Sequence, residues 1–260
     1  MQTVIVTGAS RGLGAAIAQL AAGWGAAVVL AARSSQELQE GVRKIEQAGG
    51  NALAVNGDVS REEDCREIIR QALAQYGQID ALVNNGGTVE PIAPIAEASF
   101  QEWQKAWAVN LFGPVMLIQM ALPQLRQNRG RVINISSGAA ETVVGGWGAY
   151  STSKAALNHL TRILASEEPQ VTALAVRPGL VNTAMQSTIR ERGKSRMAES
   201  NYQRLSGAYE SGSLLPPEQP GRAIACLALH APIEWSGEAL AWDEPRVQQL
   251  VQTHCPGRSG

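Results

Sequence analysis

The chain has 260 residues, a formal net charge of −1 and a 45% hydrophobic content, enough to bury a large core. That charge leaves no basic surface of the kind phosphate backbones require, which argues against a nucleic-acid partner. Cys65, Cys226 and Cys255 lie far apart with no CxxC pair, so a reducing cytoplasm is expected rather than a disulfide framework.

In chain order, TVIVT (3–7) reads as a strand, and no basic segment precedes it, so neither a signal peptide nor a membrane segment is expected. A helix follows from about Gly12 to Trp24, and the Ala-rich run around it is broken by Gln19, Gly23 and Gly25, too interrupted to span a bilayer. AAVVLA (26–31) precedes a helix from about Ser35 to Gln47. NALAVN (51–56) precedes a helix opening at Ser60, where Ser60 and Glu63 have the spacing of a capping box. IDALVNN (79–85) is the fourth strand. Helical stretches then flank RVINISS (131–137): one from about Ser99 to Asn128 with a break near Gly113-Pro114, the other from about Ala149 to Glu168. VTALAVRP (171–178) and EALAW (238–242) complete the strands. Their continuous Val/Ile/Leu/Ala character suits a parallel sheet covered on both faces. Strand–helix alternation therefore predicts an α/β, Rossmann-type doubly wound parallel sheet of about seven strands in a single domain. Residues 183–213 break the rhythm with mixed arginines and methionines and read as a lid-like insertion.

Thr7-Gly8-Ala9-Ser10-Arg11-Gly12-Leu13-Gly14 joins the first strand to the first helix. Its glycines allow a tight turn and close approach to a pyrophosphate, which the free N–H groups of the helix terminus would bind. The spacing is GxxxGxG rather than GxGxxG. At the end of the second strand, where a carboxylate would bind the ribose of NAD, the chain carries Ala32-Arg33-Ser34. Arg11 and Arg33 suit a 2′-phosphate, so NADP(H) is expected over NAD(H). Asp58, after the third strand, is placed to accept from an adenine amino group. Asn84-Asn85-Gly86-Gly87 ends the fourth strand and could fix that end beside the cofactor; for Asp58 and for this run alike, ordinary turn chemistry is the equal alternative.

Tyr150 and Lys154 stand at i and i+4, on one helix face among small residues. A free phenol titrates near about 10, and lowering it by about 3 units requires roughly 4 kcal/mol of preferential interaction, which a nearby ammonium can supply. The pair thus reads as a general acid and its tuner, able to protonate a carbonyl oxygen.

TGASRGLG, NNGG, Asn110, the serines of NISSG, YSTSK and RPG occur in the order found in the short-chain dehydrogenase/reductases, and the sequence resembles that family over residues 2–243. The resemblance implies that Tyr150 is the acid–base, that Lys154 lowers its pKa and binds the nicotinamide ribose, and that Ser137 donates to the substrate carbonyl. Asn110 would hold a water in the proton path. It further implies a cofactor lined by Gly8, Ser10, Gly12, Leu13, Gly14, Val59, Asn85 and Gly86. Pro178, Gly179, Val181 and Thr183 would lie at the nicotinamide. Gly87 departs from the alanine usual in NNAG. Ser136 is the rival to Ser137.

GWGAYSTSKAALNHL, ASEEPQV and the late SGEALAWDEPRV look like the sepiapterin reductase and benzil reductase branch, which implies an NADPH-dependent carbonyl reductase acting on a dicarbonyl, aryl ketone or pterin-type ketone. Asp243 or Glu244 would be the counterpart of the pterin-binding carboxylate. The alternatives are a 3-oxoacyl carrier-protein reductase or another alcohol dehydrogenase of the family, and a catalytically silent NADP-binding sensor. Glu141, Val143, Trp147 and Met185 are the candidate substrate-pocket residues. Trp103, Trp107 and His159 read as core or interface. His230 and His254 lack partners at metal spacing, so no metal is expected. The family pattern implies a homodimer or homotetramer paired through the helices near 112–128 and 149–167.

Overall fold

β1 (Thr3–Thr7) is buried along its whole length, as a Val/Ile strand must be when helices cover both faces of the sheet. In the computed structural model, which describes residues 1–255, it is followed by α1 (Gly12–Gly23), β2 (Ala27–Ala32), α2 (Ser35–Gln47), β3 (Asn51–Asn56), α3 (Glu62–Tyr76) and β4 (Ala81–Asn84). α4 (Phe100–Trp107) runs through a π-helical turn (Ala108–Phe112) into α5 (Gly113–Asn128). Then come β5 (Arg131–Ile135), α6 (Gly148–Glu167), β6 (Thr172–Arg177), α7 (Ala184–Gly193), α8 (Glu199–Glu210), α9 (Glu218–His230), β7 (Ala239–Ala241) and α10 (Pro245–His254). The strands form one parallel sheet in the order β3-β2-β1-β4-β5-β6-β7. The chain reverses direction across the sheet between β1 and β4, which opens a crevice at their carboxyl ends. The Rossmann-type expectation is met.

One apolar layer packs α1, α9 and α10 against the sheet through Ile17, Leu30, Ile133 and Leu227. The opposite layer packs α3, α5 and α6 through Ile68, Leu82, Leu117 and Leu164. A third cluster joins Trp147 and Tyr150 to Ile189, Met197 and Leu205 of the 183–213 excursion, which folds into α7 and α8.

Three local expectations are corrected. Ser60 does not cap α3; its N–H and hydroxyl both donate to Asp58 Oδ1, at 3.0 and 2.7 Å, and the helix starts after Arg61. An Asx-type turn has taken the serine away from the helix end. The capping box is instead at Ser99 and Glu102, opening α4. The irregularity in the 99–128 stretch lies in the π-turn at 108–112 rather than at Gly113-Pro114, because a proline is tolerated in the first turn of α5. The run Phe100–Asn128, not singled out by the sequence reading, is long and apolar enough to cross a bilayer by length and composition, with a mean hydropathy of 1.4. In the fold Leu117, Ala121 and Leu125 are buried against the sheet, and 39% of the apolar window is buried.

Candidate active site

The β1–α1 loop is shaped by backbone contact. A Cβ on Gly14 would stand 2.4 Å from Gly8 O and 2.5 Å from Asn85 Nδ2, and one on Gly8, at φ +64°, would meet Gly86 Cα at 2.9 Å. Only glycine fits there, and the loop is left with a surface free of side chains, as a pyrophosphate needs. The Asn85 side chain donates to Thr7 O at 2.8 Å and to Gly8 O at 3.3 Å, so it braces the loop. Thr7 Oγ1 accepts from the N–H groups of Asn85 and Gly86, each at 3.0 Å, a role the sequence did not disclose. Thr183 covers the loop: its Cγ2 lies 3.1 Å from where a Gly12 Cβ would be. Leu13 is buried beneath the loop, Ser10 is half-buried and Arg11 is exposed. Val59 packs under Gly113, where a Cβ would stand 2.6 Å from Val59 O. Gly179, at φ +76°, faces Leu215 and Trp242, while Val181 is buried and bridges to Leu215, so the segment from half-buried Pro178 to Thr183 follows β6 along the crevice.

Arg33 is exposed at the end of β2, with its guanidinium 3.9 Å from Asp58 Oδ2. Burial works to raise the Asp58 pKa, but the Ser60 N–H and hydroxyl, with Arg33 and Arg61, hold it below the usual carboxylate range. Oδ1 is thus taken by Ser60 rather than open toward solvent on all sides. Gly57-Asp58 is held in place as Asp58 N–H donates to Asp64 at 2.8 Å.

α6 carries Tyr150 and Lys154 and is fastened to β5 by polar groups at i, i+4 and i+7. Lys154 Nζ donates to Ile135 O at 2.7 Å, Asn158 meets Ser136 Oγ at 2.5 Å, and Thr161 accepts from Asn134 at 3.0 Å. Asn134 in turn accepts from Asn84 at 2.9 Å, so the ladder reaches β4. Satisfied in this way, a buried polar face sets register more strictly than an apolar one. The ladder separates the two serines: Ser136 is buried and bonded to Asn158, while half-buried Ser137 reaches Tyr150. Asn110, fully buried in the π-turn, donates to Thr88 O at 2.8 Å and Ser153 Oγ at 3.1 Å, and its Oδ1 accepts from Thr88 N at 2.8 Å. Both amide protons are used, so the side chain is a brace. Ser153 completes it, donating to Tyr150 O at 2.7 Å.

Lys154 Nζ is 5.9 Å from the Tyr150 ring centroid. The expected lowering of the Tyr150 pKa by Lys154 is not what the geometry produces: burial pushes the phenol up, opposed by the Ser137 hydroxyl. Burial also brings Lys154 down to about 8. The physical reason is that both groups are dry, and desolvation outweighs attraction across that distance. Gly87 lies beside this pair; an alanine Cβ there would be 3.3 Å from Asn110 Oδ1 and 3.7 Å from Lys154 Nζ.

The four expected pocket residues divide. Trp147 packs edge-to-face on Tyr150, centroids 5.3 Å apart, and Met185 lies against the same cluster. Glu141 and Val143 line a cavity of about 720 Å³ with Ile95, Thr152 and Arg196; its walls do not include Tyr150 or Ser137 but share Ala139, Val144 and Met197 with the Tyr150 cluster. Glu141 pairs with Arg177 at 2.8 Å, and Val143 is 95% exposed. Glu244 is engaged by Ala241 N at 2.8 Å and by Arg246, whereas Asp243 is exposed. Trp103 packs beside Gly148, Trp107 on Phe112, and His159 is exposed on α6. His230 and His254 stack on one another at 4.9 Å. Among the described residues no group of three or more metal-type ligands occurs.

The family model of the short chain dehydrogenases matches residues 2–194. An uncharacterized oxidoreductase of Saccharomyces cerevisiae is 36% identical over 96% of this chain and 99% of its own. A benzil reductase of the same yeast, (S)-benzoin forming, is 33% identical over 95% of this chain and 97% of its own. Among solved structures, the KRED1-Pglu enzyme superposes with a TM-score of 0.88 at 39% identity, covering 92% of this chain and 100% of that one. An alcohol dehydrogenase from Thermococcus sibiricus, complexed with 5-hydroxy-NADP, has a TM-score of 0.78 at 28% identity over 94% and 99% of the two chains. With the glycine loop, the buried Tyr–Lys pair and the sheet order in agreement, this chain belongs to the short-chain dehydrogenase/reductase family and is an oxidoreductase.

Proposed function

We propose that the protein is an NADPH-dependent carbonyl reductase acting on a vicinal dicarbonyl or aryl ketone, with Tyr150 as the general acid. The observation that carries this reading is the placement of Tyr150, buried on α6 with the Ser137 hydroxyl against its phenol and Lys154 one turn further along the same helix face. A phenol placed beside a hydroxyl can give a proton to a carbonyl oxygen in reduction and take it back in the reverse direction. A bound nicotinamide supplies the hydride that adds to the carbonyl carbon. Ser137 orients the carbonyl oxygen and shares its developing charge. Tyr150 delivers the proton, and Lys154, an ammonium below about pH 8, holds positive charge beside the resulting phenolate. Asn110 and Ser153 hold Tyr150 and the neighbouring turn in place.

The glycine loop fits a dinucleotide because Gly8 and Gly14 pack with no room for a Cβ, so the tight turn at the start of α1 carries no side chain at those positions. Preference for NADPH is supported by Arg33 at the end of β2, by the lack of a carboxylate in Ala32-Arg33-Ser34, and by the NADP analogue held by the Thermococcus sibiricus relative. The dicarbonyl reading is supported by the benzil reductase relative and by the apolar cluster around Tyr150. The α7–α8 excursion would act as the lid of that cluster. Pairing of copies through α5 and α6 is proposed from the family pattern and from exposed Phe112, in the π-turn just before α5, and exposed Ile163 on α6.

The test follows nicotinamide absorbance with NADPH or NADH and benzil, for wild type and Tyr150→Phe. Turnover with NADPH that drops roughly 10²–10⁴-fold in the variant supports the assignment. Equal turnover by both proteins would remove Tyr150 from the chemistry.

A further inference from the structure

Cys226 of α9 and Cys255, at the C-terminal cap of α10, are free thiols buried in the same apolar layer. They meet across the two helices: the Cys226 thiol shares a hydrogen bond with the Cys255 sulfur and lies 3.8 Å from Leu250 O of α10. The contact is braced from α9, where the Arg222 guanidinium, one turn before Cys226, donates to Cys255 O at 2.7 Å. The hydrogen bond from Cys226 lowers the Cys255 pKa, burial opposes it, and the Arg222 charge adds to the lowering. A lowered thiol in contact with a second thiol is the arrangement in which a sulfenic acid, once formed, is resolved as a disulfide. Access comes through α10, which is attached by one stripe, Val247, Val251 and Cys255 with half-buried Leu250, while Gln249, Gln252 and Thr253 face solvent. A helix held by one stripe opens locally at far lower cost than the whole fold.

We propose that Cys226 and Cys255 form a reversible oxidation site, at which hydrogen peroxide joins the two sulfurs in a disulfide that fastens α10 to α9. The Cys255 sulfur attacks one peroxide oxygen and the O–O bond breaks. The leaving oxygen takes the Cys255 thiol proton and departs as water, and Cys255 becomes a sulfenic acid. The Cys226 sulfur then attacks the Cys255 sulfur, the S–O bond breaks, and the hydroxyl departs as a second water with the Cys226 thiol proton. The thiols together lose two electrons, which reduce the peroxide, and a small thiol reverses the bond by exchange. The fastened helix reaches the crevice: Gln248 donates to Trp242 O at 2.7 Å, and Trp242 Nε1 stands 3.3 Å from where a Gly179 Cβ would be.

The experiment treats the native protein with hydrogen peroxide and reads thiol content, linked peptides by mass spectrometry without reduction, and Tm. The expected result is a peptide pair joined through Cys226 and Cys255 and a rise in Tm of about 5 °C, both reversed by dithiothreitol. Cys226→Ala should lose the linked pair and the Tm rise, and its Cys255 sulfenic acid, left without a resolving thiol, should be trapped by dimedone. Cys65→Ala should keep the link and the Tm rise, because Cys65 lies in the opposite apolar layer with its thiol donating to Val59 O at 3.3 Å. Should Cys226→Ala fail to fold, the wild-type measurement decides alone. Linkage through Cys65 or between chains, or thiols that stay reduced in the native protein, overturns the site. A Cys226–Cys255 link with an unmoved or lowered Tm overturns the fastening. None of these outcomes bears on the carbonyl reductase reading.

Discussion

The β1–α1 loop and the α7–α8 excursion face each other across the carboxyl ends of the sheet, and they are held by different forces. The loop is backbone against backbone: Gly8 on Gly86, Gly14 on Gly8, with Thr7 and Asn85 closing its hydrogen bonds. The excursion is attached partly by Ile189, Met197 and Leu205 and partly by exposed ion pairs, Arg192 with Glu90 and Arg196 with Glu97 at 2.7 Å. Close backbone contact tolerates no added atom, whereas exposed ion pairs contribute little and are screened by salt. The difference teaches that one wall of the site is fixed and the other is adjustable.

The most damaging test of the fixed wall is Gly14→Ala. Its methyl would meet Gly8 O at 2.4 Å, so thermal denaturation should show a loss of about 3 kcal/mol, and NADPH binding by titration should fail. A variant with native Tm and affinity would show that the loop yields after all.

Between the walls lies Lys154, and its titration gives a pH signature. Reduction measured as kcat/KM should be flat below about pH 8 and fall about tenfold per unit above it, as the ammonium is lost. Stability moves the other way. This Lys has a native pKa of about 8, below its ordinary 10.5, so its burial penalty is fully present below about 8. Between those values the unfolded chain keeps the proton that the native state has shed, and the penalty shrinks as pH rises. Lys154→Met should abolish both trends; a wild-type profile flat through pH 9 would contradict the assignment.

At the open end of the fixed wall, Arg33→Ala should raise KM for NADPH about tenfold and leave KM for NADH unchanged, the size expected for one charge-assisted contact. Parallel changes for both cofactors would place Arg33 outside the phosphate site. The smallest effect belongs to the adjustable wall. Glu97→Gln should change KM for the ketone by about two- to threefold and reduce its salt dependence, with Tm nearly unmoved. A large drop in Tm would make the excursion part of the rigid body.

Much of this was legible beforehand because it is local. Continuous apolar strands, the glycine run and the Tyr150–Lys154 spacing each follow from residues adjacent in sequence, and β1, β3 and α2 have the residues expected. The Ser60 capping box failed although its spacing was correct, because Asp58, two residues away, offered the serine a better acceptor than the helix end did. Asn110 was singled out, but its side-chain partners were not, since only the fold brings Thr88 and Ser153 to it.

The sequence by itself determined the parallel α/β architecture and the glycine loop, because periodicity and steric freedom are properties of short segments, while the set of site groups came from resemblance to the family. The tertiary structure alone decided which serine lies against Tyr150, which apolar residues pack on it and in which direction its pKa moves. Those depend on burial and on contacts between segments distant in the chain: Ser136 with Asn158, Trp147 with Tyr150, Glu141 with Arg177. Desolvation has no counterpart in a one-dimensional pattern, and here it outweighed the charge that the pattern displayed.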